Sequence, residues 1–158
     1  MNRRSLMERL EGEIHGATRH GDIFAVALCD VDGLKSVNDS AGHLAGNEVL
    51  VKIARVMREA VRAEDIVARF GGDEFVILLP RTGLLPAQAL IGRIATRLRE
   101  ETYHWAGVEQ HVPRVSFGLA WFPEDGRTDD ALLAVADQRM YEDKAHSRAR
   151  RAGASGAD

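Results

Sequence analysis

Arg69-Phe70-Gly71-Gly72-Asp73-Glu74-Phe75 joins two apolar runs, Asp65 to Phe70 and Phe75 to Leu79. β-Branched and large apolar residues on both sides of a Gly-Gly pair spell a β-hairpin, and the glycines are expected to supply the positive φ angles of a two-residue turn. Asp73 and Glu74 then stand at its tip. Adjacent acids beside a backbone bare of side chains suit a divalent cation and a phosphate chain at close approach. Taken alone, the heptapeptide is equally readable as a plain surface hairpin.

Upstream, Ile23 to Cys29 is nearly continuous apolar sequence, the mark of a strand buried on both faces, and it ends in Asp30-Val31-Asp32. Gly33 to Gly46 is polar and holds a short helix and a turn. Asn47 to Val61 reads as a helix through Val49, Leu50, Ile53, Val56 and Met57, and Met1 to His20 as an amphipathic one through Leu6, Leu10, Ile14 and Ala17. Downstream, Pro86 opens a helix running to about Glu100. Arg114 to Trp121 is a strand, and Thr102 to Val108 carries a lesser strand signal. Thr128 caps a last helix bearing Leu132, Ala136 and Met140, with Lys144 and Arg148 near its C-terminal end. Residues 1–150 are expected to form one domain and 151–158 a disordered tail. The order β-α-β-β-α-β plus a C-terminal helix predicts an α+β, ferredoxin-like (palm-type) antiparallel sheet with helices mainly on one face.

Composition narrows the function classes. A formal charge of -3 argues against binding a nucleic-acid polymer by bulk electrostatics. The single cysteine, Cys29, lies in an apolar run and excludes an internal disulfide framework, so a reducing cytoplasm is the natural setting. No run of ~18 apolar residues is present, so this segment is not expected to contact or cross a membrane. If the first strand neighbours the hairpin, Asp30 faces Asp73 and Glu74, and three converging carboxylates repel unless a cation sits among them. Oxygen ligands alone point to Mg²⁺ or Mn²⁺, with water, a backbone carbonyl such as that of Val31, or substrate phosphate completing the shell.

The pattern Asp30-x-Asp32-x-Leu34-Lys35-x-x-Asn38-Asp39-x-x-Gly42-His43-x-x-Gly46, then Arg62-x-x-Asp65, then Gly71-Gly72-Asp73-Glu74-Phe75, resembles the GGDEF domain of diguanylate cyclases. Val115-Ser116-Phe117-Gly118, Pro123-x-Asp125-Gly126 and Ala136-Asp137-x-x-Met140-Tyr141-x-x-Lys144 continue the match in order to Arg148, and Asn2-Arg3-Arg4 matches the end of the family's opening motif. The resemblance implies condensation of two GTP to cyclic di-GMP with release of two pyrophosphates, by a homodimer whose half-sites face each other. It implies that Asp30, the carbonyl of Val31, Asp73 and Glu74 hold the metal, with Asp73 and Glu74 taking the proton of the ribose 3'-hydroxyl. Gly33, Leu34, Lys35, Lys144 and Arg148 would hold the β- and γ-phosphates, and Asn38 with the position of Asn47 would read the base. Arg62, Asp65 and Arg93 would form an inhibitory site for the product. His43 has no chemical role in this reading and is expected to make a structural hydrogen bond.

Asn47 departs from the family, where guanine-specific members carry Asp. A carboxylate accepts from both guanine N1-H and N2-H, whereas Asn offers one acceptor and turns a donor toward a donor, at a cost of about 1–3 kcal/mol. Asn also complements the adenine edge. Relaxed selectivity admitting ATP is therefore expected, beside a locally adjusted pocket that still prefers guanine. The alternative to an active cyclase is a weak or inactive domain that senses nucleotide or cyclic di-GMP. Because the chain starts inside the opening motif, it is expected to be either a piece of a longer protein or an unusually short one, with an input signal not readable here.

Overall fold

The computed structural model describes residues 2–154. In chain order the elements are α1 (Arg3–His20), β1 (Phe24–Val31), α2 (Leu34–Ala41), α3 (His43–Ala60), β2 (Ile66–Arg69), β3 (Glu74–Pro80), α4 (Leu84–Glu100), β4 (Thr102–Trp105), β5 (Val108–His111), β6 (Val115–Phe122) and α5 (Asp129–Ala154). Four strands form one fully antiparallel sheet in the order β2-β3-β1-β6, the α+β arrangement predicted.

All eight residues of β1 are buried because both faces of the sheet are covered. Ala25, Ala27, Cys29 and Val31 pack in one core with α3 and α4, while Phe24, Val26 and Leu28 pack in a second with α1 and α5. The expectation of helices mainly on one face is thereby corrected. The even-numbered face of β1 is as apolar as the odd, and the stripes Leu6-Leu10-Ile14 of α1 and Leu132-Ala136-Met140 of α5 cover it. Burial alone pushes the Cys29 thiol pKa far up, in keeping with its reading as a small core residue.

Local chemistry sets most boundaries. Asn2 caps α1, its Oδ1 accepting the Ser5 N–H at 2.9 Å, an interaction worth about 1 kcal/mol. Gly42, at φ 84°, separates α2 from α3, so α3 starts at His43 and not at Asn47. Gly46 lets the Asn38 side chain lie against α3, since a Cβ there would fall 1.9 Å from Asn38 Oδ1 and turn that amide away. Pro86 is the third residue of α4 and not its first, a place where the missing N–H has no helical partner to lose. Between Trp105 and Val108 the chain reverses through Ala106 (φ 50°) and Gly107 (φ 80°), giving a separate β4-β5 hairpin where the sequence reading had one strand. A non-glycine in the first left-handed position hid that turn.

The hairpin at Gly71-Gly72 also differs from expectation. Among the described residues the positive-φ glycines are Gly21, Gly33, Gly42 and Gly107, so Gly71 and Gly72 supply no left-handed turn. The connection is four residues, Phe70 to Asp73, closed by the N–H groups of Phe70 and Gly71 donating to the Glu74 carbonyl at 2.8 and 3.3 Å. At Gly71 a Cβ would lie 2.6 Å from Glu74 Oε2, so a larger residue there would turn the Glu74 carboxylate aside. At the other end of the chain α5 runs to Ala154, so the first four residues of the expected tail are helical, and 155–158 lie outside the described residues.

Candidate active site

The β1/β3 register sets Asp30 directly opposite Glu74, and the Val31 N–H donates to the Asp73 carbonyl at 3.0 Å. Three acidic residues therefore meet at one end of the sheet. Asp30 and Glu74 share the face covered by α1 and α5, and Asp30 is only 8% exposed. From α5, Lys144 Nζ donates to Asp30 Oδ1 and lies 3.7 Å from Asp32 Oδ1.

Burial raises the Asp30 carboxyl above the ordinary range; the Lys144 hydrogen bond and charge oppose that rise, and Asp73 and Asp32 add to it. Glu74 is likewise raised, first by burial and then by the charges of Asp73, Asp30 and Asp137, with Arg3 acting against them. Burial works against the Lys144 ammonium, but its bond to Asp30 and the attraction of Asp30 and Asp32 outweigh it, so its pKa is raised. The two partners move in the same direction because burial, with the neighbouring acids second, disfavours the Asp30 carboxylate, while Asp30 and Asp32 hold the proton on Lys144.

Two crowded carboxyls whose ionisation is disfavoured form a donor set that a divalent cation would relieve, and its hard oxygens fit Mg²⁺ or Mn²⁺. As the side chains stand, no group of three or more His, Cys, Asp or Glu among the described residues closes on a common ion position, and Lys144 is the cation paired with Asp30. The donor chemistry fits such a cation.

Beside the acids, Leu34, Asn38, His43, Asn47, Arg69 and Asp73 line a cleft of about 550 Å³. The two amides assigned to the base thus share one cavity with Asp73. His43 is exposed there, and among the described residues its side chain makes no hydrogen bond, contrary to expectation. Gly33 (φ 78°) introduces α2, whose first turn presents buried Leu34 and exposed Lys35. Arg148, exposed one turn beyond Lys144, is near enough for its charge to oppose that of Lys144. Elsewhere, Arg62, Asp65 and Arg93 line one pocket of about 90 Å³. Asp65 Oδ2 accepts the Arg62 N–H at 2.8 Å, while its buried Oδ1 has no partner among the described residues.

Arg114 and Asp143 carried no sequence signal, and Arg69 and Arg3 none for the contacts they make. Arg114 donates to Asp32 Oδ2 (3.2 Å), Ser116 Oγ (3.0 Å) and Asp143 Oδ1 (2.8 Å), and Asp143 Oδ2 accepts the Phe117 N–H (3.0 Å). Arg69 donates to the carbonyls of Gly71 and Gly72 at 3.1 and 2.7 Å, fixing the turn before the acids. The Arg3 guanidinium sits 4.4 Å from the centre of the Phe70 ring, joining the start of α1 to the same turn. Asp32 and Arg114 are 82 positions apart, a separation no motif spacing could announce.

Comparison with known proteins places this geometry. The family model described as diguanylate cyclase, GGDEF domain, matches residues 1–150. The diguanylate cyclase DgcP of Pseudomonas aeruginosa is 39% identical over 152 residues, 96% of this chain and 22% of DgcP. The response regulator PleD of Caulobacter vibrioides is 36% identical over 148 residues, 93% of this chain and 33% of PleD. The chain thus spans only a minor part of these relatives. Among solved structures, a sensory box/GGDEF family protein from Caulobacter crescentus superposes with a TM-score of 0.82 at 39% identity, covering 92% of this chain and 94% of that one. The GGDEF domain of YfiN (TpbB) from Pseudomonas aeruginosa does so with a TM-score of 0.86 at 35% identity, covering 92% and 91%. With the family model matching residues 1–150 and both the sequence and the fold agreeing with its members, the chain belongs to the GGDEF domain family of diguanylate cyclases.

Proposed function

We propose that this domain condenses two GTP into cyclic di-GMP, releasing two pyrophosphates. The observation that carries the reading is the β1/β3 register, which brings Asp30 against Glu74 with Asp73 beside them at the mouth of a nucleotide-sized cleft. Asp30, Asp73, Glu74 and the Val31 carbonyl would hold Mg²⁺ or Mn²⁺, which when bound supplies charge neutralisation at the α-phosphate and a lowered pKa for the attacking hydroxyl. Asp73, with Glu74, accepts the proton of the ribose 3'-hydroxyl as its oxygen bonds to the α-phosphorus of the second nucleotide. The bond from that phosphorus to the β-phosphate oxygen breaks and pyrophosphate leaves. Lys35, Lys144 and Arg148, with the backbone of Gly33 and Leu34, hold the β- and γ-phosphates and stabilise the leaving group. Were Asp30 to hold a metal, Lys144, which pairs with Asp30 here, would be free to bind the phosphates. Each half-site binds one nucleotide, so two copies of the chain must face each other to close the ring.

Asn38 and Asn47 face the base within the cleft, and Asn47 weakens discrimination against adenine, so that ATP is also used. Product returns to Arg62, Asp65 and Arg93. The unpartnered Asp65 Oδ1 supports this reading, because a buried acceptor without a donor is costly and a guanine N1-H/N2-H edge satisfies it.

The test is incubation of the protein, stripped of bound nucleotide, with Mg²⁺ and GTP, ATP or an equimolar mixture, with products identified by mass spectrometry. Cyclic di-GMP from GTP is expected, with a cyclic GMP-AMP hybrid from the mixture. Cyclic di-GMP alone from the mixture would remove the assignment of relaxed selectivity to Asn47. No product at high protein concentration, with nucleotide still bound, would replace the cyclase reading with that of a sensor.

A further inference from the structure

On the side of α4 away from the Arg62 pocket, a cavity of about 280 Å³ lies between α4 and α5 over β6. Its floor is apolar, made by Ile91, Ala95, Leu98, Val115 and Phe117, and it shares no lining residue with the nucleotide cleft or the Arg62 pocket. Arg99, Arg114 and Arg150 also line it, against a single carboxylate, Asp143. Arg114 is already committed to Asp32, Ser116 and Asp143. Arg99 donates to Thr96 Oγ1 at 3.2 Å, and neither Arg99 nor Arg150 has an acidic partner among the described residues. Among the described residues, two guanidinium groups thus stand without an acidic partner beside a partly enclosed apolar floor, where a charge–charge contact is screened less than at an open surface.

Gly92 adds an independent observation. It lines the same cavity from the middle of α4, and nothing lies within 4 Å of a Cβ added there. Glycine is the poorest ordinary helix former and here has no close approach to accommodate. Its effect on the structure is to leave the cavity open.

We propose that this cavity binds a small amphipathic anion with a flat one- or two-ring apolar body and a carboxylate head. The rings lie on the apolar floor and the carboxylate is gripped by the forks of Arg99 and Arg150, a geometry an ammonium would not match. The volume falls just short of drug-sized pockets, which limits the body to two rings. Because Arg114 joins this cavity to Asp32, which lies beside Lys144, the ligand sits one side chain away from the acidic end of the sheet.

The probe is 2-naphthoate, titrated into the 158-residue protein by calorimetry and protein-observed NMR, with neutral 2-naphthamide as its counterpart. Saturable 1:1 binding with a dissociation constant on the order of 1 mM or tighter is expected for a ligand of this size. The naphthamide, and the double variant Arg99→Ala/Arg150→Ala, should bind at least about tenfold more weakly through loss of the charge-assisted bonds. Gly92→Leu, which alters no charge and improves helix propensity, should abolish binding by filling the cavity. No saturable binding, equal affinity for the amide, or affinity unchanged in either variant overturns the proposal.

Discussion

Glu74 is held where burial and the charges of Asp73 and Asp30 all disfavour its ionised form. A carboxyl whose pKa is raised on folding destabilises the folded state at neutral pH, and that penalty disappears as the pH falls through the raised value. Glu74→Gln is therefore expected to raise the melting temperature in the presence of EDTA by about 1–3 °C while lowering cyclic di-GMP formation by about 100-fold or more. A lower melting temperature in EDTA would show that the carboxylate stabilises the metal-free fold and would sink this account of the site. The identities of Asp73 and Glu74 were legible from their place after two glycines. That Arg3 stacks on Phe70 and acts against the charges around Glu74 was not, because Arg3 lies at the start of α1 and Phe70 in mid-chain, with no motif spacing to link them.

Two glycines show how packing between elements, and not backbone freedom, decides what a position tolerates. Gly118 on β6 lies under α5: an added Cβ would fall 1.8 Å from the Ala136 carbonyl and 2.4 Å from the Met140 N. Neither backbone atom can step aside without lifting the helix that carries Lys144. Gly118→Ala is expected to destabilise by about 3 kcal/mol or more and lower the melting temperature by roughly 10 °C. Gly92→Ala, into open space on α4, should instead stabilise by about 0.5–1 kcal/mol. Chemical denaturation of the two variants side by side checks both signs, and a mild Gly118→Ala would mean that α5 is not fixed on the sheet as described. The apolar periodicity that announced α5 named its buried stripe but said nothing of how closely it approaches β6.

At the scale of the molecule, the nucleotide cleft, the Arg62 pocket and the cavity between α4 and α5 share no lining residue, and the largest of these three includes Asp73 in its wall. A single copy presents one acidic site and one cleft, yet the proposed reaction needs two nucleotides attacked in turn. The specific rate of cyclic di-GMP formation is accordingly expected to rise with protein concentration at fixed GTP, approaching second-order dependence of total rate on enzyme when dimers are scarce. Initial rates over a wide dilution series measure this. A rate strictly proportional to enzyme throughout would contradict assembly of the working site from two copies.

What the sequence determined by itself was local or periodic: the apolar run of β1, the stripes of the helices, the acids after Gly71-Gly72 and the order of elements that makes an antiparallel α+β sheet. Each follows from spacing along the chain, which sets which side chains share a face. Only the tertiary structure decided that both sheet faces are covered, that Gly118 lies against the backbone of α5, and that Arg114 links Asp32 to Asp143. It also decided that Lys144 rests on Asp30 across 114 positions. Such contacts depend on the register of paired strands and on the distance at which a helix packs, quantities fixed by the whole core together and written in no single stretch of residues.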